Sequence, residues 1–396
     1  MTSALAGAGD ATGAEGDART DAVRRAVGAV IDPELRRPLA ELDMIRSVGV
    51  SGARARVEIA LTIVGCPAAD RIERDVRAAA STAPGISDVE VVVGVMSPPE
   101  RQALTARLRG GRAARTMPFG PDALTRVIAV TSGKGGVGKS SITANLAVAL
   151  AQRGLAVGLI DADVHGFSIP GLLGLVDAEG RPPAPTRIDD LMLPPVAFGV
   201  KAISIGMFLP RDQPVSAAVA WRGPMLHRTV QQFLTDVFFG DLDVLLIDMP
   251  PGTGDVAISV GQLLPHADVL VVTTPQTAAS DVAVRSGLVA AQTGQRVIGV
   301  VENMGAMTLP DGSTLDLFGA GGGDAVATSL SSADHVVPLL ASVPLSVDLR
   351  RGGDEGAPVV VSRPEDAAAR AIAALAERIA ATPRGLAGRS LPVTPR

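Results

Sequence analysis

Hydrophobic runs in the second two thirds of the chain predict buried strands. From residue 126 onward, unbroken runs rich in Val, Ile and Leu alternate with segments of helical pattern; the runs are VIAVTSG, LAVGLIDAD, VKAISIG, DVLLIDMP, DVLVVTTP, VIGVVEN and VPLLASVP. Strands that are covered on both faces of a parallel sheet have such continuous runs, whereas half-exposed strands alternate. We therefore expect residues 124–382 to form an α/β domain with a doubly wound, mostly parallel sheet.

The preceding residues have a different pattern, which predicts a second and smaller domain. Val57, Ile59, Leu61 and Ile63 fall on one face of a strand in which every other residue suits the opposite face. Around this strand the pattern indicates a helix, a turn, another strand, a second helix and a last strand. We expect residues 19–97 to form a small α+β domain.

Three segments lack such periodicity. Residues 1–18 and 383–396 are rich in small or turn-forming residues, and we expect a disordered N-terminus and a flexible tail. Between the domains, residues 98–123 contain five Arg and no acidic residue from Arg101 to Thr116. We interpret this segment as an Arg-rich linker, because no aromatic residues are interleaved as in a polyanion-binding patch.

Composition narrows the classes of partner. The 396 residues are 47% hydrophobic and 19% charged, enough apolar material for a sizeable core, which excludes general disorder. Aromatic residues are only 2%, with no Tyr, which argues against base stacking. The net charge of −5 offers no general attraction to nucleic acid or to an anionic membrane, so we expect neither as a partner.

The cysteine count and the N-terminal sequence indicate a cytoplasmic protein. Cys66 is the only cysteine and cannot form an internal disulfide. The first twenty residues have neither the basic nor the apolar region of a secretory signal, and no apolar run approaches the ~20 residues that span a bilayer. We expect no transmembrane segment.

The segment Gly133-Lys134-Gly135-Gly136-Val137-Gly138-Lys139-Ser140 satisfies the phosphate-binding pattern G-x-x-x-x-G-K-[ST] between a predicted strand and a predicted helix. Glycines allow successive backbone N–H groups to surround phosphate oxygens, and the helix presents its positive end to the same anion. We expect Lys139 to reach the β- and γ-phosphates of ATP, Ser140 to ligate Mg²⁺, and the next residue, Ser141, to complete the nucleotide-binding segment.

Lysine is rare in this chain, yet two of its three lysines lie in this loop, Lys134 and Lys139. Lys134 is not required by the ordinary motif. The pattern K-G-G-x-G-K-[ST] resembles the deviant phosphate loop of ATPases that pair face to face. The resemblance implies a homodimer in which Lys134 reaches the nucleotide of the partner subunit.

Acidic residues follow two of the predicted strands, Asp161 and Asp163 after one and Asp248 after another. Ligands of open α/β sheets bind at the carboxyl ends of the strands. Asp248 fits the carboxylate that holds Mg²⁺ through water. The resemblance implies that Asp163 positions the attacking water and that Asp161 supports the Mg²⁺ shell.

Longer strings narrow the resemblance to one family. They are DADVHGFSIPGLLG, WRGPMLHRTVQQFLTDVFFGDLDVLLIDMPPGTGDVAISVGQLLP, TTPQTAASDVAVR, VENMG and LFGAGGGDAVA, and together they resemble the Mrp/ApbC family of iron-sulfur cluster carrier ATPases. DPEL at 32–35 and T-x-x-G-C-P at 62–67 resemble the MIP18-type (metal-sulfur cluster assembly) domain. The resemblance implies slow ATP hydrolysis and transfer of an iron-sulfur cluster, such as a 4Fe-4S cluster, from scaffold proteins to apo-proteins. It also implies that Asn303 and Pro275-Gln276 line the adenine side.

One departure from the family concerns the cluster. Many members carry C-x-x-C after VENM, but residues 305–318 contain no cysteine here. A cluster usually needs four thiolates, and a homodimer offers two, both Cys66. Cys66 could be a ligand that a partner, a small thiol or a histidine completes, with a pKa lowered by a following helix. Alternatively it is a small packed residue, and the ATPase acts as an assembly chaperone that holds no cluster or has changed cargo.

Two rival functions belong to the same ATPase class. A positional switch of the ParA/MinD type would bind DNA or membrane, and here only the Arg101–Arg115 segment is basic, while the last predicted helix has three acids and two Arg. An electron-donating ATPase needs two cysteines per subunit, and the ATPase segment has none. The iron-sulfur cluster carrier ATPase is therefore the function that the sequence favours.

Overall fold

The computed structural model describes residues 10–63, 66, 68–110, 117–164, 166–209, 223–309 and 311–382. The chain divides into two compact units. The small unit comprises Met1–Ala113 and Thr186–Leu193, and the large unit comprises Ala114–Pro185 and Pro194–Arg396. In the described residues, no helix has the length and apolar character needed to cross a membrane.

The strands, in chain order, are β1 Ile45–Ser51, β2 Arg54–Leu61, β3 Asp88–Val95, β4 Arg126–Ser132, β5 Val157–Asp161, β6 Thr186–Ile188, β7 Leu191–Leu193, β8 Val196–Ala197, β9 Val200–Ser204, β10 Val244–Asp248, β11 Asp268–Thr273, β12 Arg296–Gly305, β13 Met307–Thr308, β14 Thr314–Leu315 and β15 Leu339–Pro344. The helices are α1 Asp10–Gly28, α2 Ala69–Ser81, α3 Pro98–Leu108, α4 Lys139–Gln152, α5 Ile169–Leu172, α6 Gly223–Thr235, α7 Asp255–Leu263, α8 Thr277–Gln292, α9 Gly322–Leu330, α10 Val347–Glu355, α11 Val359–Ser362 and α12 Ala367–Ala381.

The small unit contains the expected α+β domain. Its sheet has the order β1-β2-β3, with β1 antiparallel and β3 parallel to β2. Val57 and Ile59 of β2 are fully buried, and α2 buries Ile72 and Val76, which lie one helical turn apart on one face. The alternation along β2 therefore produces the buried face of this sheet, as predicted.

The large unit contains the expected doubly wound sheet, whose order is β15-β12-β11-β4-β10-β5-β9-β8. All neighbouring pairs in it are parallel except β8 with β9. The strands β5, β10 and β11 are buried at every residue, which explains their continuous hydrophobic runs. Because β4, β5 and β10 are neighbours, the residues that follow them meet at one edge of the sheet.

Helices occupy parts of two segments expected to be irregular. Helix α1 begins at Asp10, within the predicted disordered N-terminus, and α3 occupies the first part of the predicted linker. The residues at the start of α3 explain where it begins, because Ser97 and Glu100 form a reciprocal capping box and Pro98 stands in the first turn. Residues 111–116 of the predicted linker and the predicted tail at 383–396 lie outside the described residues.

The small unit also contains a hairpin from a later part of the chain, between two segments of the large unit. Strands β6 and β7 pair antiparallel, and the chain belongs to the large unit immediately before and after them. Within the small unit, Arg101 forms an ion pair with Asp189 at 3.7 Å, and Arg109 with Asp190 at 2.8 Å. Two arginines of the Arg-rich segment are therefore paired with carboxylates of the same chain.

Candidate functional site

The phosphate loop connects β4 to α4, as the motif predicted. Gly136 and Gly138 have φ angles of 80° and 77°, a left-handed conformation that favours glycine. A Cβ at Gly133 would lie 2.2 Å from the backbone carbon of Val282 in α8, which excludes a side chain there. Loop conformation and close packing together explain the glycines, and Lys139 opens the helix at the sheet edge.

Lys139, Ser140 and Asp248 form one polar cluster. The ammonium of Lys139 lies 2.7 Å from Oδ1 of Asp248, and both side chains are buried. The Ser140 hydroxyl donates to Oδ2 of Asp248 at 2.6 Å. Thr143, one turn further along α4, donates from its hydroxyl to Oδ1 at 2.9 Å. The residues predicted to bind phosphate and Mg²⁺ are thus in direct contact, although Asp248 is 108 residues from Ser140.

Asp161 is fully buried beside Asp248. The two residues are directly paired in the register of β5 and β10. Asp161 accepts hydrogen bonds from the Ser204 hydroxyl at 2.9 Å and from the backbone N–H of Ile169 at 3.3 Å. Burial, and next the negative charge of Asp248, raise the pKa of Asp161 to about 8. The carboxyl is therefore mostly protonated at neutral pH.

Asp163 and Lys134 lie at the same sheet edge. Asp163 follows β5 and accepts a hydrogen bond from the backbone N–H of Gly166 at 3.1 Å, and it is 8% exposed. Lys134 is partly exposed and donates to the side-chain oxygen of Gln276 of its own chain at 3.4 Å. That contact is weak, so the Lys134 ammonium is free to move to another acceptor.

Asn303 supports the phosphate loop in this structure. Its side-chain amide donates to the backbone oxygen of Val137 at 2.9 Å and is buried. A Cβ at Gly138 would lie 2.2 Å from this amide nitrogen, so the two residues are tightly packed. The amide therefore holds the loop in place, and a contact between Asn303 and adenine remains a prediction.

A serine of α8 joins the phosphate loop to the loop that follows Asp248. The hydroxyl of Ser286 is 3.2 Å from the backbone oxygens of both Ser132 and Gly252. The N–H of Gly252 also donates to the oxygen of Ser132 at 2.8 Å. These bonds couple the residue before the phosphate loop to a glycine-rich loop with the composition of a nucleotide-responsive switch.

The environment of Cys66 differs from the prediction. The thiol is buried and donates to Oε2 of Glu34 at 3.8 Å, a long contact of the kind that sulfur makes. Burial, and then the charges of Glu34 and Asp32, raise the pKa of Cys66 to about 11, although a hydrogen bond with the backbone of Ala68 acts in the opposite direction. The expectation that the following helix lowers this pKa is wrong, because loss of hydration outweighs it.

Sequence reasoning missed several polar residues of these two sites. Thr143 could have been found, because it lies four residues after Lys139 on the same helix face. Ser204 and Thr186 carry no local signal, because each reaches its acceptor only through tertiary packing. In the sequence, Glu34 carries no signal beyond its place in the DPEL string. It accepts from Thr186 at 2.8 Å, and burial raises its pKa.

The cluster has the donor chemistry that Mg²⁺ prefers. The hydroxyl of Ser140 and the carboxylate of Asp248 are hard oxygen donors. In the described part of the chain, no three His, Cys, Asp or Glu side chains are grouped as a metal site. A Mg²⁺ ion here would therefore take its remaining ligands from water and phosphate oxygens, as Mg²⁺ does in phosphate-loop ATPases in general.

Comparisons with known proteins agree with this geometry. A family model described as NUBPL iron-transfer P-loop NTPase matches residues 123–380, and one described as iron-sulfur cluster assembly protein matches residues 20–93. The iron-sulfur cluster carrier protein of Mycobacterium tuberculosis is 52% identical over 94% of this chain and 96% of its own length. The protein of the same name from Synechocystis is 42% identical over 91% of this chain and 97% of its own.

Solved structures with similar chains include two nucleotide complexes. A nucleotide-binding protein in complex with ADP from Archaeoglobus fulgidus is 35% identical, with a TM-score of 0.48 over 58% of this chain and 86% of that one. The septum site-determining protein MinD with Mg-ADP from Pyrococcus horikoshii is 26% identical, with a TM-score of 0.47 over 64% of this chain and 96% of that one. By its two family matches and its relatives over nearly its full length, the chain belongs to the iron-sulfur cluster carrier proteins, with a phosphate-loop NTPase domain.

Proposed function

We propose that this protein binds Mg-ATP, hydrolyses it as a homodimer, and supports transfer of iron-sulfur clusters to apo-proteins. The observation that carries the first part is the joint contact of Lys139 and Ser140 with Asp248 at the end of the phosphate loop. The buried ammonium of Lys139 is paired with Asp248, which in this proposal holds Mg²⁺ through water. When Mg-ATP binds, the ammonium can exchange this carboxylate for a phosphate oxygen. The family and its relatives support the second part.

The residues of this chain then act in sequence. Backbone N–H groups of residues 135–140 bind the β- and γ-phosphates, and Lys139 transfers its hydrogen bonds from Asp248 to phosphate oxygens. Asp163 orients a water molecule for attack on the γ-phosphorus. A bond forms between water oxygen and phosphorus while the bond to ADP breaks, and the water proton leaves with the phosphate product or solvent. When bound, Mg²⁺ would be held by Ser140 and, through water, by Asp248 and would neutralise charge on the phosphates.

Lys134 acts between the subunits in this proposal. To reach the partner subunit, its ammonium would give up only the weak 3.4 Å hydrogen bond to the side chain of Gln276. Pairing of two copies across their phosphate loops would place it on the nucleotide of the partner subunit. There it neutralises charge that develops in the transition state, in the manner of an arginine finger, so hydrolysis depends on the dimer.

The iron-sulfur cluster is the cargo, and Cys66 is the one sulfur ligand that this chain can offer. A homodimer supplies two thiols, so a client, a scaffold protein or a small thiol must supply the others. The raised pKa keeps the Cys66 thiol protonated at neutral pH, so metal binding must displace a proton. The Glu34 carboxyl is the adjacent group that can accept it.

One observation favours a second candidate function. A single buried cysteine with a raised pKa is a poor iron ligand, which suits an assembly chaperone that holds no cluster itself. Anaerobic reconstitution with iron and sulfide, on wild type and Cys66→Ala, separates the two. A charge-transfer absorbance lost in the variant supports Cys66 as ligand; no chromophore in either protein contradicts cluster binding and supports the chaperone.

Calorimetry with Mg-ATP tests the nucleotide part independently. Wild type should bind, and Lys139→Ala should show no heat. Because that variant leaves the buried Asp248 without its ion pair, circular dichroism must show that it is folded. Asn145→Ala serves as the control and should still bind Mg-ATP. The Asn145 side chain lies on the same helix but bonds to the backbone of Ser141 and Val360 rather than to the Lys139, Ser140 and Asp248 cluster. No heat with wild type would reject the proposal.

A further inference from the structure

A cavity of about 180 Å³ lies in the large unit, at the edge of the sheet opposite the phosphate loop. Arg126 and Arg296 line it, and they are the first residues of β4 and β12, whereas the phosphate loop follows the last residue of β4. Ile298 and Leu340 form part of its apolar wall. The cavity is therefore separate from the proposed nucleotide site by the length of β4, about 20 Å at ~3.3 Å per residue.

Three arginines line this cavity, and one nearby carboxylate pairs with two of them. Asp268 accepts from Nε of Arg126 at 2.8 Å and from Nη2 of Arg296 at 2.8 Å. The third arginine, Arg378, donates from Nη1 to the backbone oxygen of Leu340 at 2.7 Å, and this acceptor is neutral. Among the described residues, the ion pairs here thus balance one of the three positive charges.

Hydrogen bonds within the protein hold the guanidinium groups in place but do not use all of their N–H donors. Arg126 donates from Nη1 to the backbone oxygen of Ile379 at 2.9 Å. The imidazole of His335, which also lines the cavity, has its Nε2 2.7 Å from the backbone oxygen of Val297. Each guanidinium has five N–H donors, and these contacts use at most two of them on any one arginine. The N–H groups of a planar guanidinium bind an oxyanion through charge-assisted hydrogen bonds, which are stronger than those between neutral groups.

We propose that this cavity binds a small oxyanion with two negative charges, such as phosphate or a short dicarboxylate. Two negative charges match the net charge of about +2 that three guanidinium groups and the one carboxylate of Asp268 leave at this cavity. The volume is below the ~300–1,000 Å³ of pockets for larger ligands, so a nucleoside triphosphate does not fit. Arg378 and Arg296 are the residues that bind it, each through N–H groups that donate to two oxygens of the ligand. The proposal does not depend on the proposed function.

The test uses full-length protein saturated with Mg-ADP, so that the phosphate loop is occupied. Phosphate and succinate are titrated at constant ionic strength by calorimetry, into wild type, Arg378→Gln and Arg370→Gln. Arg370 lies on the same helix and is exposed, with a 3.9 Å contact to Glu365, so it is the matched control. We expect binding to wild type and control, and at least about tenfold weaker binding to Arg378→Gln, since hydrogen bonds to charged groups contribute about 1.5–3 kcal/mol.

Arg296→Gln gives the same test with a side chain that is 62% exposed, should Arg378→Gln fail to fold. Equal affinity of wild type and both variants would overturn the proposal, and so would the absence of heat with wild type. Binding that disappears in Lys139→Ala but not in Arg378→Gln or Arg296→Gln would place the anion in the phosphate loop and would overturn it as well.

Discussion

The hydroxyl of Thr186 donates a 2.8 Å hydrogen bond to Glu34, the residue whose carboxyl contacts the Cys66 thiol. Thr186 belongs to the hairpin β6–β7, whose neighbours in sequence are part of the ATPase segment. The carboxyl beside the single thiol is thus held by a residue 152 positions away. This contact makes the hairpin part of the environment that determines the chemistry of Cys66.

The pKa of Cys66 should respond to Glu34. Thiolate absorbance in the ultraviolet reports this residue alone, because the chain has one Cys and no Tyr. The native midpoint should lie near pH 11, against 9.0 for an ordinary thiol. Glu34→Gln removes a negative charge and should lower the midpoint, but not to 9.0, because burial is the larger cause.

The matched control is Glu73→Gln on α2, whose carboxylate pairs with Arg77 at the surface. It should titrate like wild type; a Glu34→Gln midpoint equal to that of wild type would contradict the coupling.

The raised pKa of Cys66 also makes the stability of the folded protein depend on pH. Its contribution is fully present below pH 9.0 and is lost as the pH rises towards 11, because the unfolded chain ionises first.

Replacing Lys134 should separate binding from hydrolysis. Lys134→Ala should keep Mg-ATP affinity near that of wild type, because Lys139 and the loop amides bind the phosphates of the same subunit. Turnover should fall by roughly 10³ if the ammonium acts on the nucleotide of the partner. Calorimetry and steady-state phosphate release measure the two effects, and unchanged turnover would remove the role between subunits.

The role of Asp163 predicts a trapped complex. Asp163→Asn keeps the side-chain size and can still accept from the Gly166 N–H, so the loop after β5 should remain folded. The amide orients water poorly, so the variant should bind ATP, hydrolyse it slowly and accumulate as a dimer in size-exclusion chromatography with ATP. Normal turnover would assign the attacking water to another residue.

The buried Asp161 predicts a dependence of stability on pH. Its raised pKa means that the folded state holds a proton that the unfolded chain loses from about pH 3.8 upward. Its contribution is present below that pH and is lost as the pH rises towards about 8, with a slope of up to about 1.4 kcal/mol per pH unit. Asp161→Asn should remove this part of the slope in urea unfolding of the nucleotide-free protein.

Glu365→Gln, which changes a carboxyl that is 93% exposed, is the control and should leave the slope unchanged. If Asp161→Asn and wild type lose stability in parallel between pH 5 and pH 8, the carboxyl is not protonated in the folded state. That result would also contradict the inference that burial and the charge of Asp248 raise the pKa of Asp161.

Local patterns predicted the elements that depend on neighbouring residues. Continuous apolar runs predicted β5 and β10, because a strand covered on both faces has no polar side. The capping residues Ser97 and Glu100 were visible before α3, yet charge composition suggested a linker instead. Buried Leu104 and Leu108 show that packing of one apolar face stabilises this helix in spite of its arginines.

By itself, the sequence determined the phosphate loop, its order between strand and helix, and the acids at the sheet edge, since those depend on short spacings and on the rule that parallel strands end at one edge. Only the tertiary structure decided that Ser204 bonds to Asp161, that Thr186 reaches Glu34, and that burial raises the Cys66 pKa. Such contacts join residues far apart in the chain, and hydration is lost only when the whole unit packs around them.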